Sequence, residues 1–504
     1  MKRKIYDRML KWKRESQGRS VLMIEGARRV GKSFIVREFA SREYESYILI
    51  DFNNTTEQVR GLFQNYLNDL DSFFMYLSLS ADVTLHERKS LIIFDEVQRF
   101  PEARAALKYL VNDGRYDYIE TGSLVSIRKN VKGITIPSEE EPIELVPMDF
   151  EEFLWAMGQN MLMDLIRLQF GKREPMGPDM HRKAMTWFRQ YLIVGGMPQV
   201  VMQYAETKDF DKVDAQKRLI LNLYRNDIRQ YADNLENRVT QIFDEIPAQL
   251  QRHEKKFRLS DLKKDARYRD YDSAFLWLAD ARVINICHSS TEPNIGFRLT
   301  QDGNTLKCYM ADTGLLISHS FDENGIVSSQ LYRKLMLDRL EFNEGMLMEN
   351  IVAQMLLAAG HKLYFFSSYS KKSADRMEID FLISKIMPTS RHNVTAIEVK
   401  SGKNYTFTSL NKFKEKYGSM LSGEVVLHTG DVKYEDGILY LPLYMAQLLC
   451  RALGCLLPVT SWALISARSP SSPQPCLLIW PRGRCLPRFR RASSAGGTSQ
   501  RAPR

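Results

Sequence analysis

Gly26-Ala27-Arg28-Arg29-Val30-Gly31-Lys32-Ser33 has the form G-x-x-x-x-G-K-S, and the residues on either side complete the pattern. Upstream, Ser20-Val21-Leu22-Met23-Ile24 is a short apolar run that reads as a buried parallel strand. Downstream, Ser33 to Ala40 carries helical periodicity. Strand, glycine loop and helix N-terminus together build a cradle for phosphate. The glycines let backbone N–H groups turn toward an anion, and the helix dipole favours negative charge there. Lys32 is placed to reach β- and γ-phosphates, and Ser33 to ligate Mg²⁺. Gly26, Ala27, Arg28, Arg29, Val30, Gly31, Lys32 and Ser33 are therefore the candidate nucleotide-binding loop, with ATP and Mg²⁺ the expected ligands.

A second apolar run, Tyr47-Ile48-Leu49-Ile50-Asp51, is closed by the turn-forming pair Asn53-Asn54, and a helical stretch follows over residues 57–79. Then Ser90-Leu91-Ile92-Ile93-Phe94-Asp95-Glu96 delivers two carboxylates at the C-terminal end of a strand. That edge of an open α/β sheet is where ligands bind. Asp95 is placed to hold the Mg²⁺ shell and Glu96 to polarise an attacking water; the bland alternative is a strand that ends in an acidic turn. Tyr116 to Glu120 reads as a further strand running into Thr121-Gly122-Ser123. Thr121 and Ser123 either lie beside the γ-phosphate and report its presence or form a plain hydroxyl-stabilised turn. Pro147-Met148-Asp149-Phe150-Glu151-Glu152-Phe153 has the signature of a helix start, with Asp149 capping and Glu152 three residues on. The first domain is drawn as residues 1–150.

The rest of the composition bounds the problem. At 504 residues the chain is too long for one core, so about three domains are expected. With 26% charged and 44% hydrophobic residues it has the balance of a globular protein. The net charge of +10 invites a nucleic-acid reading, yet residues 451–504 hold nine arginines and no Lys, Asp or Glu. Positions 1–450 therefore carry a net charge of only +1, and global charge says little about partners. Six cysteines, none in a C-x-x-C pair, suggest neither a disulfide framework nor a zinc site and fit a reducing cytosol. Met1 to Ser16 is basic and lacks an apolar core, so no signal peptide is expected there, and the most apolar window, near 439–466, is broken by Arg451 and Pro458.

GARRVGKS, LIIFDE, TGS and PMDFEEFL together resemble the prokaryotic AAA-type ATPases that carry a C-terminal domain of unknown function. The resemblance continues through Tyr191-Leu192-Ile193-Val194-Gly195-Gly196-Met197-Pro198, Asp227-Ile228-Arg229 and Lys307-Cys308-Tyr309-Met310-Ala311-Asp312-Thr313-Gly314-Leu315-Leu316. It covers roughly residues 15–450 and implies a P-loop α/β domain that binds ATP. The later motifs mark the family without explaining chemistry.

Residues 180–250 are helical by pattern. From Arg258 the text changes: Leu259-Ser260-Asp261-Leu262 starts a short helix, Tyr268 to Ala281 supplies another, and Val283–Cys287 and Gly296–Leu299 read as two strands. Two helices and a hairpin are similar to a winged helix, whose second helix can enter a DNA groove. That helix carries Arg267 and Arg269 but also Asp270, Asp272 and Asp280, so a protein-packing role is equally open. Residues 151–330 are drawn as this helical and winged-helix-like domain.

A third domain is drawn over 331–450. Asn343 to Gly360 is a helix with a glycine stop, and Glu349 shares its apolar face with Val352, Ala353 and Leu356. A buried carboxylate there must be metal-bound or hydrogen-bonded. Strands are expected at Lys362–Phe366, Glu378–Ile383 and Thr395–Lys400. The order Glu349, Asp380, Glu398-x-Lys400 resembles the restriction-endonuclease-like fold. The resemblance implies that Glu349, Asp380 and Glu398 hold a metal ion while Lys400 serves the water. Strand alternation does put Glu398 and Lys400 on one face. Such domains either keep cleavage or retain their acids as structure. Residues 451–504, rich in Arg, Pro and Ser, read as a disordered tail, either non-native or a basic arm.

The expected fold class is thus α/β: a parallel-sheet P-loop domain, a helical and winged-helix middle, and a nuclease-like α/β domain. The leading functional expectation is a Mg-dependent ATPase that couples nucleotide state to DNA binding or cleavage. Its rival is a slow nucleotide-gated switch that recruits a protein partner and carries an inactive nuclease-like domain. Candidate partners are ATP, DNA, a protein and further copies of the chain, with no membrane and a cytoplasmic location.

Overall fold

Four of the first five strands are short apolar runs, and they line up side by side. In the computed structural model, which describes residues 1–123, 138–252, 254–294, 296–321, 332, 344–368, 376–384, 393–402 and 405–449, they form a five-stranded parallel sheet. The strands are β1 (Val21–Glu25), β2 (Ser46–Asp51), β3 (Ser90–Asp95), β4 (Asp117–Gly122) and β5 (Glu140–Glu144), in the order β2-β3-β4-β1-β5. Alternate residues serve opposite faces. Leu22, Ile24, Leu91 and Ile93 face the helix Lys32–Glu43, whereas Val21, Met23, Ile92 and Phe94 face a second core built on Phe52, Phe63, Phe73 and Phe100. Helices on both faces explain why β3 and β4 are buried along their whole length. All five strands run the same way, so Gly26, Asp95 and Thr121 leave at one sheet edge.

Two details differ from expectation. The helical stretch 57–79 is two helices, Glu57–Asn65 and Leu70–Ala81, split where Asp69 caps the second by accepting from the Ser72 N–H. And β5, Glu-Glu-Pro-Ile-Glu, carries no apolar alternation. It survives as an edge strand because Arg104 pairs with Glu140 and Pro142 is tolerated at an edge.

The second sheet has eight strands: β6 (Ile284–Ser290), β7 (Gln301–Met310), β8 (Tyr364–Ser368), β9 (Met377–Ser384), β10 (Val394–Val399), β11 (Leu421–His428), β12 (Lys433–Glu435) and β13 (Ile438–Pro442). Their order is β12-β13-β11-β10-β9-β8-β6-β7. The hairpin expected as a wing is therefore an edge of this sheet, with β6 pairing parallel to β8. Its second strand starts at Gln301, and Phe297, expected in a strand, packs instead into the core beside Tyr364. The helix Tyr268–Asp280 forms as expected, burying Tyr271, Phe275 and Trp277 and exposing Arg269, Asp270 and Leu276. Helices from Phe150 to Gln251 lie between the sheets, and one continuous apolar core runs from β1 through them to Leu427 on β11. The described residues belong to one compact unit. The tail 451–504 lies outside the described residues.

The motifs that carried the resemblance interlock at the centre. Met148 N–H donates to Gly196 O (2.7 Å), Gly196 N–H to Asp312 Oδ2 (2.5 Å), and Tyr191 Oη to Met148 O (2.8 Å). Gln354 joins in by donating to Tyr191 Oη and accepting from Thr313 N–H. A Cβ on Gly196 would stand 2.1 Å from Met148 O, where backbone meets backbone and nothing can give. Gly196→Ala is therefore expected to cost about 3 kcal/mol, read as a lowered denaturant midpoint; an unchanged midpoint would show that the contact is soft.

Candidate functional site

The loop after β1 turns on a left-handed Gly31 (φ 97°) and a left-handed Arg29 (φ 69°), which aim the chain into the helix starting at Lys32. Gly26 has no room for a side chain, since a Cβ would stand 2.4 Å from Leu145 O. Lys32 Nζ folds back onto its own loop, donating to Gly26 O (2.9 Å) and Ala27 O (3.0 Å). It is 5% exposed, and that burial lowers its pKa to about 8, against the pull of Glu96 and Asp95.

Behind the loop, Asp95 is buried at the end of β3, and one oxygen, Oδ1, accepts from Ser33 Oγ (2.9 Å) and from Thr121 Oγ1. Glu96 follows in a left-handed conformation (φ 54°) that turns its side chain out of the sheet. Its Oε2 accepts from Gln98 Nε2 (2.6 Å) and Ser123 Oγ (3.2 Å). Thr121 and Ser123 thus each donate to one of the two carboxylates. Beside them opens a cleft of about 540 Å³, lined by Arg28, Lys32, Ser33, Glu96, Pro198 and Met202 among others. A cleft of about 820 Å³ adjoins it at Ser33, Asp51, Asn53, Asp95 and Glu96. A hydroxyl and a carboxylate side by side at the foot of a cation-lined cleft fit a magnesium–triphosphate ligand.

Two arginines anchor the loop, Arg3 from outside it and Arg28 from within. Arg3 donates to Val30 O (3.2 Å) and Val146 O (2.6 Å) and pairs with Glu152 (3.1 Å), tying the loop to the helix start at Phe150. Arg28 pairs with the buried Asp227 of the helix Phe210–Tyr231, and Tyr224 Oη reaches Arg28 O (3.4 Å).

The carboxylates read as a second metal site gather around a lysine. Glu349, on the helix Glu344–Ala358, accepts from Lys255 and from Tyr309 Oη (3.1 Å). Lys307, on β7 and 1% exposed, lies 2.8 Å from Glu378, 3.6 Å from Glu349 and 3.6 Å from Asp380. Asp380 Oδ2 accepts from Val399 N–H (2.9 Å), and Lys400, one residue past the end of β10, pairs with Glu398 (2.6 Å). Burial opposes ionisation of Glu349, but Lys307 and Lys255 hold its carboxyl below the usual range. Burial and the neighbouring Glu349 push Asp380 up to about 7. Among the described residues no group of three His, Cys, Asp or Glu side chains is placed to hold a metal ion. The buried Glu349 is thus satisfied by hydrogen bonds, and the ammonium of Lys307 stands among the acids. This arrangement does not fit a metal centre.

Residues 18–154 match the AAA domain family. Residues 185–324 and 344–445 match two families described as domains of unknown function, DUF8612 and DUF4143. The AAA match supports an AAA-type ATPase with ATP binding. Similar solved structures include the Walker-type ATPase PABY2304 of Pyrococcus abyssi (17% identity, 63% of this chain and 95% of that one, TM-score 0.36). Others are the Aeropyrum pernix Orc1 protein in complex with DNA (10%, 65% and 94%, 0.25) and AMPPCP-bound DnaA from Aquifex aeolicus (13%, 56% and 84%, 0.25). No curated protein matches the sequence.

Two arginines on the helix that carries Asp227 behave differently from Arg28. Arg225 pairs with Asp244 (3.2 Å) over the Phe243 ring, and Arg229 is exposed. Arg3 and Asp227 carried no sequence signal for a role at the loop. No described helix is long and apolar enough to cross a membrane.

Proposed function

We propose that this chain binds Mg·ATP in the cleft beside Lys32 and hydrolyses it. The observation that carries the reading is Asp95, whose one oxygen accepts from both Ser33 and Thr121 while Glu96 turns into the cleft. Ser33 and Asp95 would hold the ion, whose charge would offset that of the β- and γ-phosphates. Lys32 exchanges the loop carbonyls for phosphate oxygens, and the backbone N–H groups at the helix start orient the anion. Glu96 orients a water and accepts its proton, with Gln98 and Ser123 holding the carboxylate in place.

Glu96→Gln is expected to keep ATP affinity within about twofold and to slow turnover by about a hundredfold, since an amide cannot take the proton. Wild-type turnover in that variant would remove Glu96 from the role.

We further propose that the nucleotide state governs the rest of the chain, through DNA binding or cleavage or through recruitment of a protein partner. The lysines among Glu349, Glu378, Asp380 and Glu398 favour the second of these, a switch whose nuclease-like domain is inactive. Steady-state ATPase rates with and without duplex DNA separate them. Stimulation by DNA supports the first reading; slow turnover indifferent to DNA supports the second.

A further inference from the structure

We propose that the guanidinium of Arg28 is the loop's reader of the triphosphate, and that Asp227 withholds it from the cleft until nucleotide arrives. The inference rests on the ATP reading of the cleft and adds a cation and a counter-ion to it. The loop holds three cations, each in a different state. Lys32 is bound to the loop's own carbonyls, and both Arg28 and Arg29 line the cleft, Arg29 exposed and Arg28 paired with Asp227.

The two sides of that pair are unequal. Asp227 is 6% exposed on a long helix, and Arg28 is its only ion-pair partner among the described residues. Burial raises the pKa of Asp227 and Arg28 opposes that rise, so the carboxylate depends on the guanidinium for its charge. Arg28 is 37% exposed and its backbone carbonyl is held by Tyr224, so the guanidinium is the part of the residue that can exchange partners.

A triphosphate entering the cleft offers a higher negative charge and a fork-shaped acceptor, for which a guanidinium exchanges a single carboxylate. Before that exchange, Asp227 reduces the fraction of chains in which Arg28 is available, and apparent affinity falls by that fraction. After it, the helix Phe210–Tyr231 loses its ion pair with the loop. The far end of the same helix is tied to another part of the chain: Asp214 accepts from Ser318 (2.6 Å) and Tyr332 (2.7 Å). Release of Arg28 is thereby felt by a helix that spans from the loop to Ser318.

Titration calorimetry of the full chain with ATP and with ADP, Mg²⁺ present, tests this. Asp227→Asn frees Arg28 and is expected to tighten ATP about fivefold while changing ADP less than twofold. Arg28→Ala is expected to weaken ATP about tenfold, to narrow the ATP-to-ADP preference, and to cancel the gain from Asp227→Asn in the double variant. A merely structural ion pair would give the opposite sign for Asp227→Asn, weaker binding together with a lower melting temperature, and would overturn the inference. If Asp227→Asn does not fold, Arg28→Ala decides alone, because an unchanged ATP-to-ADP ratio overturns it. Wild type that takes up neither nucleotide would overturn the ATP reading itself. Wild-type binding with an unaltered ratio in Arg28→Ala overturns this inference only.

Discussion

Lys32→Ala abolishes ATP binding, with an expected loss of more than about a hundredfold in affinity by calorimetry. Among the described residues, Lys32 Nζ is buried and held by Gly26 O and Ala27 O, which a phosphate oxygen can replace without moving the backbone. No other lysine lines the cleft, and Arg28, one of the arginines that does, is paired with Asp227. Alanine keeps the helix and the left-handed Gly31, so the melting temperature of the free chain should change little while binding disappears. Because burial lowers the lysine's pKa to about 8, its positive form fades as pH rises past that value, and wild-type ATP affinity should weaken there. An alanine variant that binds ATP with wild-type affinity would place the phosphates elsewhere.

The candidate residues of the cleft were legible because their signals are local. The loop, the strand ending in Asp95-Glu96 and the strand ending in Thr121 are each contiguous, and parallel pairing brings their ends to one edge. The same locality made the Glu398–Lys400 pair legible, since residues two apart in an extended stretch lie on one side, and here the stretch runs one residue past β10. What resisted reading is non-local. Nothing near β6 and β7 says which sheet a hairpin joins, so a hairpin after two helices reads as a wing until β8 is found beside it. The strand β5 is charged because an edge strand can be, and charge erases the alternation by which strands are recognised.

The ion pairs are the sharper lesson. Asp227 sits on the buried face of its helix, three residues from Tyr224 and next to Ile228, all three buried. The argument applied to Glu349, that an acid on an apolar stripe needs a partner, would have flagged it. It would not have named Arg28, which is 199 residues away. Lys307 was quoted within a family pattern and passed over. Its partners Glu349, Glu378 and Asp380 come from a helix and a strand that meet it only in the folded chain. A fragment beginning at residue 331 would leave those acids without Lys255 and Lys307, so the third domain is better tested in place.

Lys307→Met in the full chain should destabilise it by roughly 3–5 kcal/mol, because removal of one member of a buried charge cluster leaves the others uncompensated. Glu349, Glu378 and Asp380 lie within 3.6 Å of its ammonium, and among the described residues Lys255, Lys256, Tyr309 and the Val399 N–H would remain to hold them. Asp380 is the acid least favoured as an anion, its pKa pushed up to about 7 by burial and by Glu349. A carboxyl whose folded pKa exceeds its unfolded value near 4 stabilises the fold while protonated, and that contribution is lost as pH rises from about 4 through about 7. Asp380→Asn should therefore melt above wild type at pH 8 by about 1–2 kcal/mol of stability, and the advantage should shrink steadily below pH 7. The amide oxygen can still accept from Val399 N–H, which keeps the comparison one of charge. In the Lys307→Met background the same change should restore part of the loss, since one uncompensated anion is gone. A Lys307→Met chain as stable as wild type would show that the lysine is not the acids' counter-charge. A wild-type chain that melts several degrees higher with Mn²⁺ would show that a metal can displace it, and would return Glu349, Asp380 and Glu398 to the role of ligands.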